Sequence, residues 1–432
     1  MRVWNIACVL TAALTWAPVA LADMTGHGGM VRALAISDDG SRVLTGGFDY
    51  TVRLWDFIEQ KEIMLLDDHF GPVNSVAFVP GAARALSAGD DGSVIVWDLK
   101  ARKPLRRFKD HGGKVMAVAA SPHGRVAASG GWDRRARLWD IGTGKQLHVL
   151  DHPSNVSALA FTPDGKFLVT GAIDGAVRVW RVTDGAAIAD MKGHGWVVAQ
   201  LAVSRDGARA ISVGTDATLR LWDLKDHREL AELKGHDGPI FGVALSPDGK
   251  RALSGGRDGA LIHWDLATGG QIRIISAHKR PVWAVALTPD GRFGASAGYD
   301  GSVRVWHLAS GDRIGLPGEG DNEPKPWLES RHPGAKLYRK CAACHSLSEE
   351  GVRRSGPHFV GLFGRRAGAV AGYKYSKALR GSNIVWTHKT ITGLFRDGPD
   401  HYIPGTKMPM QRLRNPAELA SLVDYLRVLT KP

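Results

Sequence analysis

Two patterns of apolar positions divide the chain. Up to about residue 316, short apolar runs alternate with turn residues; Ala286-Leu287, for example, precedes the turn Pro289-Asp290-Gly291, and a further short run leads to Ser296. This alternation predicts short β-strands. Beyond about residue 330 the spacing becomes helical, with one apolar stripe formed by Leu419, Leu422, Val423 and Leu426. The patterns predict an all-β region followed by a small all-α domain, in which this stripe packs on the first helix.

The all-β region repeats with a period of 41 or 42 residues. Each of the seven repeats carries a His, a Ser or Thr, an Asp and a Trp, which we name the tetrad. The tetrads are His27, Thr45, Asp49 and Trp55; His69, Ser87, Asp91 and Trp97; His111, Ser129, Asp133 and Trp139; His152, Thr170, Asp174 and Trp180; His194, Ser212, Asp216 and Trp222; His236, Ser254, Asp258 and Trp264; and His278, Ser296, Asp300 and Trp306. A period of this length indicates an array of similar structural units.

These repeats resemble the WD-repeat β-propellers, whose blades are four-stranded antiparallel sheets. The Gly-His pair of that family occurs three times, for example at Gly26-His27, and the Trp-Asp pair is complete in all repeats except Trp180-Arg181 and Trp306-His307. The resemblance implies a seven-bladed propeller with a buried Asp–His–hydroxyl–Trp hydrogen-bond chain in each blade. A Ser-His-Asp hydrolase does not fit seven equal copies, because its nucleophile needs a single exposed site with an oxyanion hole.

The first 22 residues have the pattern of a secretory signal peptide. Arg2 precedes the apolar segment Ile6–Leu14, and Ala20-Leu21-Ala22 supplies small residues for cleavage after Ala22. The apolar segment is too short to span a bilayer. We therefore expect a mature protein in the periplasm, without a transmembrane segment, that keeps two of the three cysteines because Cys8 leaves with the signal.

Closure of the propeller ring is expected to depart from the usual family pattern, in which an N-terminal strand completes the last blade. After cleavage only Asp23-Met24-Thr25-Gly26 precedes the first tetrad, which is too little for a strand. The segment Gly311–Leu316 matches the outer strands of other repeats, such as Gln271–Ile275. We expect seven sequentially built blades, with the ring closed by packing of blade seven on blade one.

Positive charge is concentrated at the C-terminal end. The 432-residue chain has a formal net charge of +13, and residues 331–432 hold 18 Lys and Arg against 6 Asp and Glu, a net of +12. A proline-containing acidic linker is predicted at residues 317–330, after a propeller at residues 23–316 with a net charge of +3. The basic domain is expected to attract an acidic redox partner protein. Nucleic acid, the alternative for a basic domain, does not fit an exported protein.

Residues 341–345 read Cys-Ala-Ala-Cys-His, which is the covalent haem attachment motif. Two thiols three positions apart on a helical turn can both bond the porphyrin vinyl groups, and the adjacent His345 then faces the iron. A thioredoxin-like redox pair lacks its βαβ context here, and a zinc site lacks further cysteines. The motif predicts one covalent haem c, held by Cys341 and Cys344.

The whole domain around this motif, residues 331–432, resembles the mitochondrial-type cytochromes c and their bacterial relatives. Ser355–Arg365 resembles the family segment in which a proline carbonyl accepts the ring N–H of the ligand histidine, and Tyr402–Met408 resembles the axial methionine loop. The resemblance implies iron ligation by His345 and Met408, with Met410 as a competitor two residues on. It further implies cofactor contacts from Pro357, Arg365, Tyr373, Trp386 and Tyr402.

The propeller is expected to bind protein partners. By resemblance to the family, the residue before each tetrad Asp and the residue after each strand-opening Val or Ile lie on the narrower face of the ring. In repeats six, seven and one, these positions hold Arg32, Phe48, Phe241, Arg257, Trp283 and Tyr299. Neighbouring aromatic and arginine side chains favour a docking surface, and ordinary variation of partly buried rings is the alternative.

Three functions remain open from the sequence. The first is a periplasmic electron carrier, not a catalyst by itself, with a His/Met-ligated haem and a propeller that docks partners. The second is a redox enzyme whose propeller holds a second cofactor or substrate, although the His residues outside the tetrads lack ligand spacing. The third is a scaffold whose partner binding responds to the redox state of the haem.

Overall fold

The computed structural model describes residues 23–315, 326, 330–342, 345–348, 356–371, 373, 375–406, 408 and 412–430. The predicted signal peptide at residues 1–22 lies outside the described residues, as does most of the predicted linker. In the part of the chain that is described, no helix is long and apolar enough to cross a membrane.

The described residues contain seven four-stranded antiparallel sheets, each built from four strands consecutive in the sequence. This confirms seven sequential blades. The strands of blades one to four are β1 (Val31–Ile36), β2 (Arg42–Gly47), β3 (Val52–Asp56), β4 (Glu62–Leu66), β5 (Val73–Val79), β6 (Arg84–Gly89), β7 (Val94–Asp98), β8 (Lys103–Phe108), β9 (Val115–Ala120), β10 (Val126–Gly131), β11 (Arg135–Asp140), β12 (Gln146–Asp151), β13 (Val156–Phe161), β14 (Phe167–Ala172), β15 (Ala176–Arg181) and β16 (Ala187–Lys192). Those of blades five to seven are β17 (Val198–Val203), β18 (Arg209–Gly214), β19 (Thr218–Asp223), β20 (Arg228–Lys234), β21 (Ile240–Leu245), β22 (Arg251–Gly256), β23 (Ala260–Asp265), β24 (Gln271–Ser276), β25 (Val282–Leu287), β26 (Phe293–Gly298), β27 (Val303–His307) and β28 (Arg313–Ile314).

Neighbouring blades pack face to face through the alternating apolar residues of their strands. Leu44 and Leu54 of blade one share a buried cluster with Trp97 of blade two. Blades seven and one share an equivalent cluster, in which Val43 packs with Val303. Because each sheet buries its apolar faces against its neighbours, the blade interfaces supply most of the core.

Each innermost strand contains a β-bulge at its second residue. In blade one, the pairing of β1 with β2 shifts between Val31 and Ala33, and the same shift occurs in the other six blades. A bulge leaves one residue unpaired and re-aims its side chain. The seven bulge residues line one central cavity; they are Arg32, Asn74, Met116, Ser157, Ala199, Phe241 and Trp283.

The tetrad hydrogen-bond chain is complete in six of the seven blades. In blade one, Trp55 Nε1 donates to Thr45 Oγ1 at 2.9 Å, and the Thr45 hydroxyl lies 2.7 Å from His27 Nε2. The other ring nitrogen, His27 Nδ1, lies 3.0 Å from the Asp49 carboxylate. Burial alone would raise the pKa of Asp49, but the charge and hydrogen bond of His27, together with Arg53, hold it well below its usual range. The chain thus satisfies polar groups whose burial without partners would cost roughly 1–3 kcal/mol each.

Blade four departs from the predicted tetrad, because its Asp–His bond is missing. Nδ1 of His152 donates to the Leu150 carbonyl at 2.9 Å instead. In five other blades, the residue after the tetrad His donates its backbone N–H to the tetrad Asp. The corresponding residue in blade four is Pro153, which has no N–H to donate. Asp174 is bonded to Arg178 through both carboxylate oxygens.

The N-terminus contributes more to ring closure than the sequence predicts. Met24 forms an isolated antiparallel bridge with Val303 of β27, with N–O distances of 3.1 and 3.0 Å. The side chain of Asp23 is fully buried and accepts hydrogen bonds from Arg304 at 3.2 Å and from Arg313 at 2.9 Å. Because β28 has only two residues, Met24 extends the outer edge of blade seven. This bridge and the packing of blade seven on blade one together close the ring.

The described part of the C-terminal region contains five helices and one isolated β-bridge. The helices are α1 (Pro333–Ala342), α2 (Lys377–Arg380), α3 (His388–Asp397), α4 (Pro399–Tyr402) and α5 (Pro416–Leu429). Asn415 caps α5 by accepting the Ala417 N–H at 2.9 Å, and the predicted apolar stripe of this helix is buried. Helix α1 packs on α5, as predicted, and Gly334 is needed at their contact because a Cβ atom there would clash with the Ser421 carbonyl.

Candidate functional site

The predicted attachment motif begins at the C-terminal end of α1. Cys341 is buried in an apolar cluster that also contains Tyr338 and Phe359. The backbone N–H of His345 donates to the Cys341 carbonyl at 3.0 Å, so these two residues are one helical turn apart. Cys344, the second predicted thiol, lies outside the described residues.

Two contacts fix the ring of His345. Its Nδ1 lies 2.7 Å from the Pro357 carbonyl oxygen, and its ring stacks on Phe359 with centroids 4.0 Å apart. Because a carbonyl oxygen only accepts, Nδ1 carries the proton and Nε2 keeps its lone pair. This is the tautomer that a metal-ligating histidine requires.

Arg365 holds the loop that carries Pro357. Its two terminal nitrogens donate to the carbonyl oxygens of Val360 and His358, each at 2.7 Å. Hydrogen bonds from a charged donor are stronger than neutral ones, so this guanidinium rigidifies the loop. The backbone N–H of Trp386 donates to the Arg365 carbonyl at 2.9 Å and joins a third segment to the same loop.

Met408 lies on the segment that follows α4. Its backbone N–H donates to Thr406 Oγ1 at 3.2 Å, and its side chain packs against the apolar cluster around Cys341. Met408 and His345 line the same cavity, although they are 63 residues apart in the sequence. Met410, the competing ligand, lies outside the described residues.

Most of the predicted cofactor contacts lie around this cavity. The predicted residues that line it are Pro357, Arg365, Tyr373 and Trp386. The structure does not bring Tyr402 to the cavity. This tyrosine packs against Gly393, where a Cβ atom would lie 2.6 Å from its ring, and the next residue, Ile403, lines the cavity wall.

Other wall residues escaped the sequence analysis. They include Phe359, Leu362, Tyr375, Leu394, Phe395, Ile403 and Thr406. The aliphatic and phenylalanine members look like ordinary core residues in the sequence, so no local signal marked them as cavity residues. Burial raises the pKa of Tyr375, whose hydroxyl accepts the Val370 N–H at 3.3 Å.

The residues around the cavity fit a haem group. An imidazole protonated at Nδ1 and a thioether sulfur are both haem-iron ligands, and they lie here among largely apolar and aromatic walls. A buried thiol, Cys341, lies one turn before the histidine. Within the described ranges, no group of three or more His, Cys, Asp or Glu side chains could hold another metal ion. The donor set therefore suits haem c.

The six predicted docking residues of the propeller separate into two groups. Three occupy bulge positions and line the central cavity: Arg32, Phe241 and Trp283. The other three directly precede a tetrad Asp and form part of what we call the rim: Phe48, Arg257 and Tyr299. Tyr299 is 43 % exposed and has the Arg280 guanidinium over its ring at 5.0 Å.

Three exposed aromatic side chains near the rim were not predicted from the sequence. Trp132 occupies the rim position of blade three, and its backbone N–H donates to the Lys114 carbonyl on the neighbouring loop at 2.8 Å. Phe70 and Trp196 lie on the loops that follow the tetrad histidines of their blades, and they are 63 % and 69 % exposed. Phe70 directly follows its tetrad His, and Trp196 is two positions after its own. An aromatic residue at these positions is the sequence signal that could have found both.

Comparison with known proteins gives the same division of the chain. The family described as "WD domain, G-beta repeat" matches residues 19–56, 60–98, 102–140, 144–181, 185–223, 227–265 and 269–307. The family described as "Cytochrome c" matches residues 332–430. This region is 41% identical over 98 residues to cytochrome c of Nigella damascena, which covers 22% of this chain and 87% of that protein. It is also 41% identical over 97 residues to cytochrome c2 of Afifella marina, with 22% of this chain and 77% of that protein covered.

Proposed function

Because the chain belongs to the WD-repeat family through its seven repeats and to the cytochrome c family through its C-terminal domain, we propose that it is an exported electron carrier whose propeller docks partner proteins. The observation that carries this proposal is the cavity shared by His345 and Met408, in which the Pro357 carbonyl orients the histidine at 2.7 Å. The protein moves electrons between partners and is not a catalyst by itself.

In this proposal, Cys341 and Cys344 would attach one haem c, and His345 and Met408 would ligate its iron. The bound haem supplies a one-electron couple of relatively high potential. The Pro357 carbonyl keeps the histidine in its ligating tautomer, and Arg365 rigidifies the loop behind it. The apolar walls exclude water from the ligand atoms.

Redox titration of the full-length protein tests the ligand assignment. Met408→Ala removes the thioether, so we expect the midpoint potential to fall by on the order of 100 mV and the visible spectrum to change. Met410→Ala, two residues along the same segment, is the matched control and is expected to leave both unchanged. An unchanged potential in Met408→Ala, or a fall in Met410→Ala alone, would contradict the assignment.

The proposal also assigns the compartment and the domain bounds. Residues 1–22 are removed on export to the periplasm, residues 23–316 form the propeller, residues 317–330 the linker, and residues 331–432 an all-α cytochrome c fold. The charged, apolar and small residues of the first segment support export. N-terminal sequencing of the purified periplasmic protein is expected to begin at Asp23, and recovery of the chain only in the cytoplasmic fraction would contradict export.

The partners follow from charge and surface chemistry. The net charge of +12 on residues 331–432 supports an acidic redox partner for the cytochrome domain, because opposite charges steer association. The exposed rim aromatics, Tyr299 and Trp132, support a separate protein partner on the propeller. The two surfaces together would hold an electron donor or acceptor beside the haem domain.

A further inference from the structure

The seven bulge residues surround a central cavity of about 330 Å³, which is within the size range of small-molecule sites. They are not equivalent around the ring. Blades six, seven, one and two contribute the large or polar side chains Phe241, Trp283, Arg32 and Asn74. Blades four and five contribute the small residues Ser157 and Ala199. Their side of the cavity therefore has room for a ligand that faces an aromatic and cationic wall.

Arg32 is the unusual member of this wall. Its guanidinium lies over the Trp283 ring at 5.5 Å, and Phe241 stacks on the same indole with centroids 4.2 Å apart. Among the described residues, Arg32 has no hydrogen-bond or ion-pair partner for its side chain, although a guanidinium carries five N–H donors. Burial lowers the pKa of Arg32, with an opposing effect from Asp90. Because a buried charge is costly unless it is paired, binding of an anion would stabilise this guanidinium.

The nearest carboxylate does not supply that anion. Asp90 accepts hydrogen bonds from Lys114 Nζ at 2.6 Å and from Asn74 Nδ2 at 2.8 Å. Lys114 also lies over the Trp132 ring at 5.2 Å. The group formed by Arg32, Lys114 and Asp90 thus has two cations and one anion, so one positive charge is uncompensated.

Two further polar atoms at the cavity lack partners in the described structure. Oδ1 of Asn74 accepts no hydrogen bond although this residue is only 5 % exposed, and the buried Nε1 of Trp283 donates none. The amide orientation of Asn74 is fixed, because its Nδ2 donates to Asp90 and to the Val115 carbonyl at 3.0 Å. The cavity therefore offers a cation, an N–H donor and one acceptor that needs a donor.

We propose that this central cavity binds a small organic carboxylate that also carries a hydroxyl or amide donor on a flat apolar body. The carboxylate pairs with Arg32 and accepts the Trp283 N–H, while the ligand's donor group bonds Asn74 Oδ1. The apolar body fills the space beside Ser157 and Ala199. The site is separate from the haem cavity, and its edge is bordered by the rim residue Trp132. Binding of a small molecule there goes beyond the proposed electron-carrier function.

Isothermal titration of the full-length holoprotein with 4-hydroxybenzoate tests this proposal. Benzoate lacks the hydroxyl, and 4-hydroxybenzyl alcohol lacks the carboxylate. We expect 4-hydroxybenzoate to bind, and each analogue to bind about tenfold more weakly or worse, because each leaves one polar group of the cavity unpaired. Failure of 4-hydroxybenzoate to bind, or equal binding of the three probes, would overturn the proposal.

Two arginine variants locate the bound probe. Arg32→Met keeps the side-chain length without the charge and is expected to weaken 4-hydroxybenzoate binding by at least about tenfold. Arg257→Met on the exposed rim is the matched control, with unchanged affinity expected. An equal loss in both variants, or no loss in Arg32→Met, would contradict a site in the central cavity.

A stability measurement is independent of the probe chosen. In ligand-free protein, Arg32→Met removes a half-buried cation that has no hydrogen-bonded partner among the described residues, so the thermal transition of the propeller is expected to rise by a few degrees. Arg257→Met is expected to leave it unchanged. A fall in Arg32→Met would identify Arg32 as a structural residue and would refute the binding site.

Discussion

The propeller and the cytochrome domain use polar side chains in opposite ways. In the propeller the same chain of polar groups is repeated, and in six blades each tetrad satisfies its own donors and acceptors. In the cytochrome domain each important group occurs once, as with His345, Pro357 and Met408, and distant segments bring them to one cavity. Repetition produces a scaffold that tolerates a defective copy, whereas a site of single groups loses its chemistry with any one of them.

The largest effect is expected when one of the predicted haem-binding thiols is removed. Cys341→Ser leaves one of the two predicted thioether bonds, so we expect covalent haem content to fall to a small fraction, while the propeller unfolds at an unchanged urea concentration. Haem staining of denatured protein and urea titration followed by Trp fluorescence measure the two quantities. Cys8→Ser, in the predicted signal peptide, is the control with full haem content. A matching loss of propeller stability would show that the domains do not fold independently.

A smaller effect separates a complete tetrad from the incomplete one. Asp49→Ala leaves the buried ring of His27 without its carboxylate and leaves the fully buried Arg53 with Glu62 as its remaining ion-pair partner, and we expect it to lower the free energy of unfolding of the propeller by about 3 kcal/mol. Asp174→Ala in blade four is expected to cost about 1 kcal/mol or less, because Asp174 is exposed and Arg178 keeps an ion pair with Asp190 at 3.3 Å. Urea unfolding of both variants makes the comparison.

Equal costs for these two substitutions would remove the distinction between blade four and the others. A small cost for both would mean that the tetrad contributes less to stability than its burial indicates. A large cost at Asp174 alone would mean that its bonds to Arg178 replace the missing tetrad link in full.

The smallest expected effect concerns acid stability, again in blade four. Burial lowers the pKa of His152 to about 4, against the opposing effect of its bond to the Leu150 carbonyl. The unfolded chain, in which histidine titrates near 6.5, binds more protons than the folded chain between these pH values. The contribution of His152 therefore destabilises the propeller progressively as the pH falls from about 6.5 towards 4.

Replacing this histidine tests the pH dependence. His152→Gln is expected to reduce the loss of unfolding free energy between about pH 7 and pH 5 by on the order of 1–2 kcal/mol. His148→Gln, which removes a partly exposed imidazole from β12, is the control. If the pH dependence of His152→Gln equals that of the wild type, protonation of His152 does not drive the acid response.

The propeller was largely predictable because its core repeats. The seven copies of the tetrad predict seven equivalent blades, because every blade needs the same buried groups. The broken tetrad was visible only as Pro153, whose missing N–H becomes important once the bond from that position to the tetrad Asp is known. The Met24 bridge gave no local signal, because it depends on two segments that are far apart in the sequence meeting at the ring seam.

In the cytochrome domain, the haem attachment motif could be predicted from the sequence, whereas most residues that line the cavity could not. Local spacing alone marks Cys341 and His345, because attachment chemistry requires adjacent groups on one turn. Wall residues such as Leu394 and Phe395 are indistinguishable in sequence from other core residues. The helix α4 ends at Tyr402, and the extended residue that follows it, Ile403, lines the cavity, a change of direction that the sequence does not mark.

The seam of the ring has a consequence for engineering. Asp23 contacts Arg313, and the Ile314 carbonyl accepts a hydrogen bond from Gln60 of blade one at 3.2 Å, so the two ends of the propeller lie side by side. Because every blade is built from consecutive strands, a circular permutant could join these ends and open between any other two blades without changing a single sheet. A series of such permutants would place the attachment point of the haem domain at successive blades around the ring. The position of the electron carrier relative to the propeller could then be chosen by design.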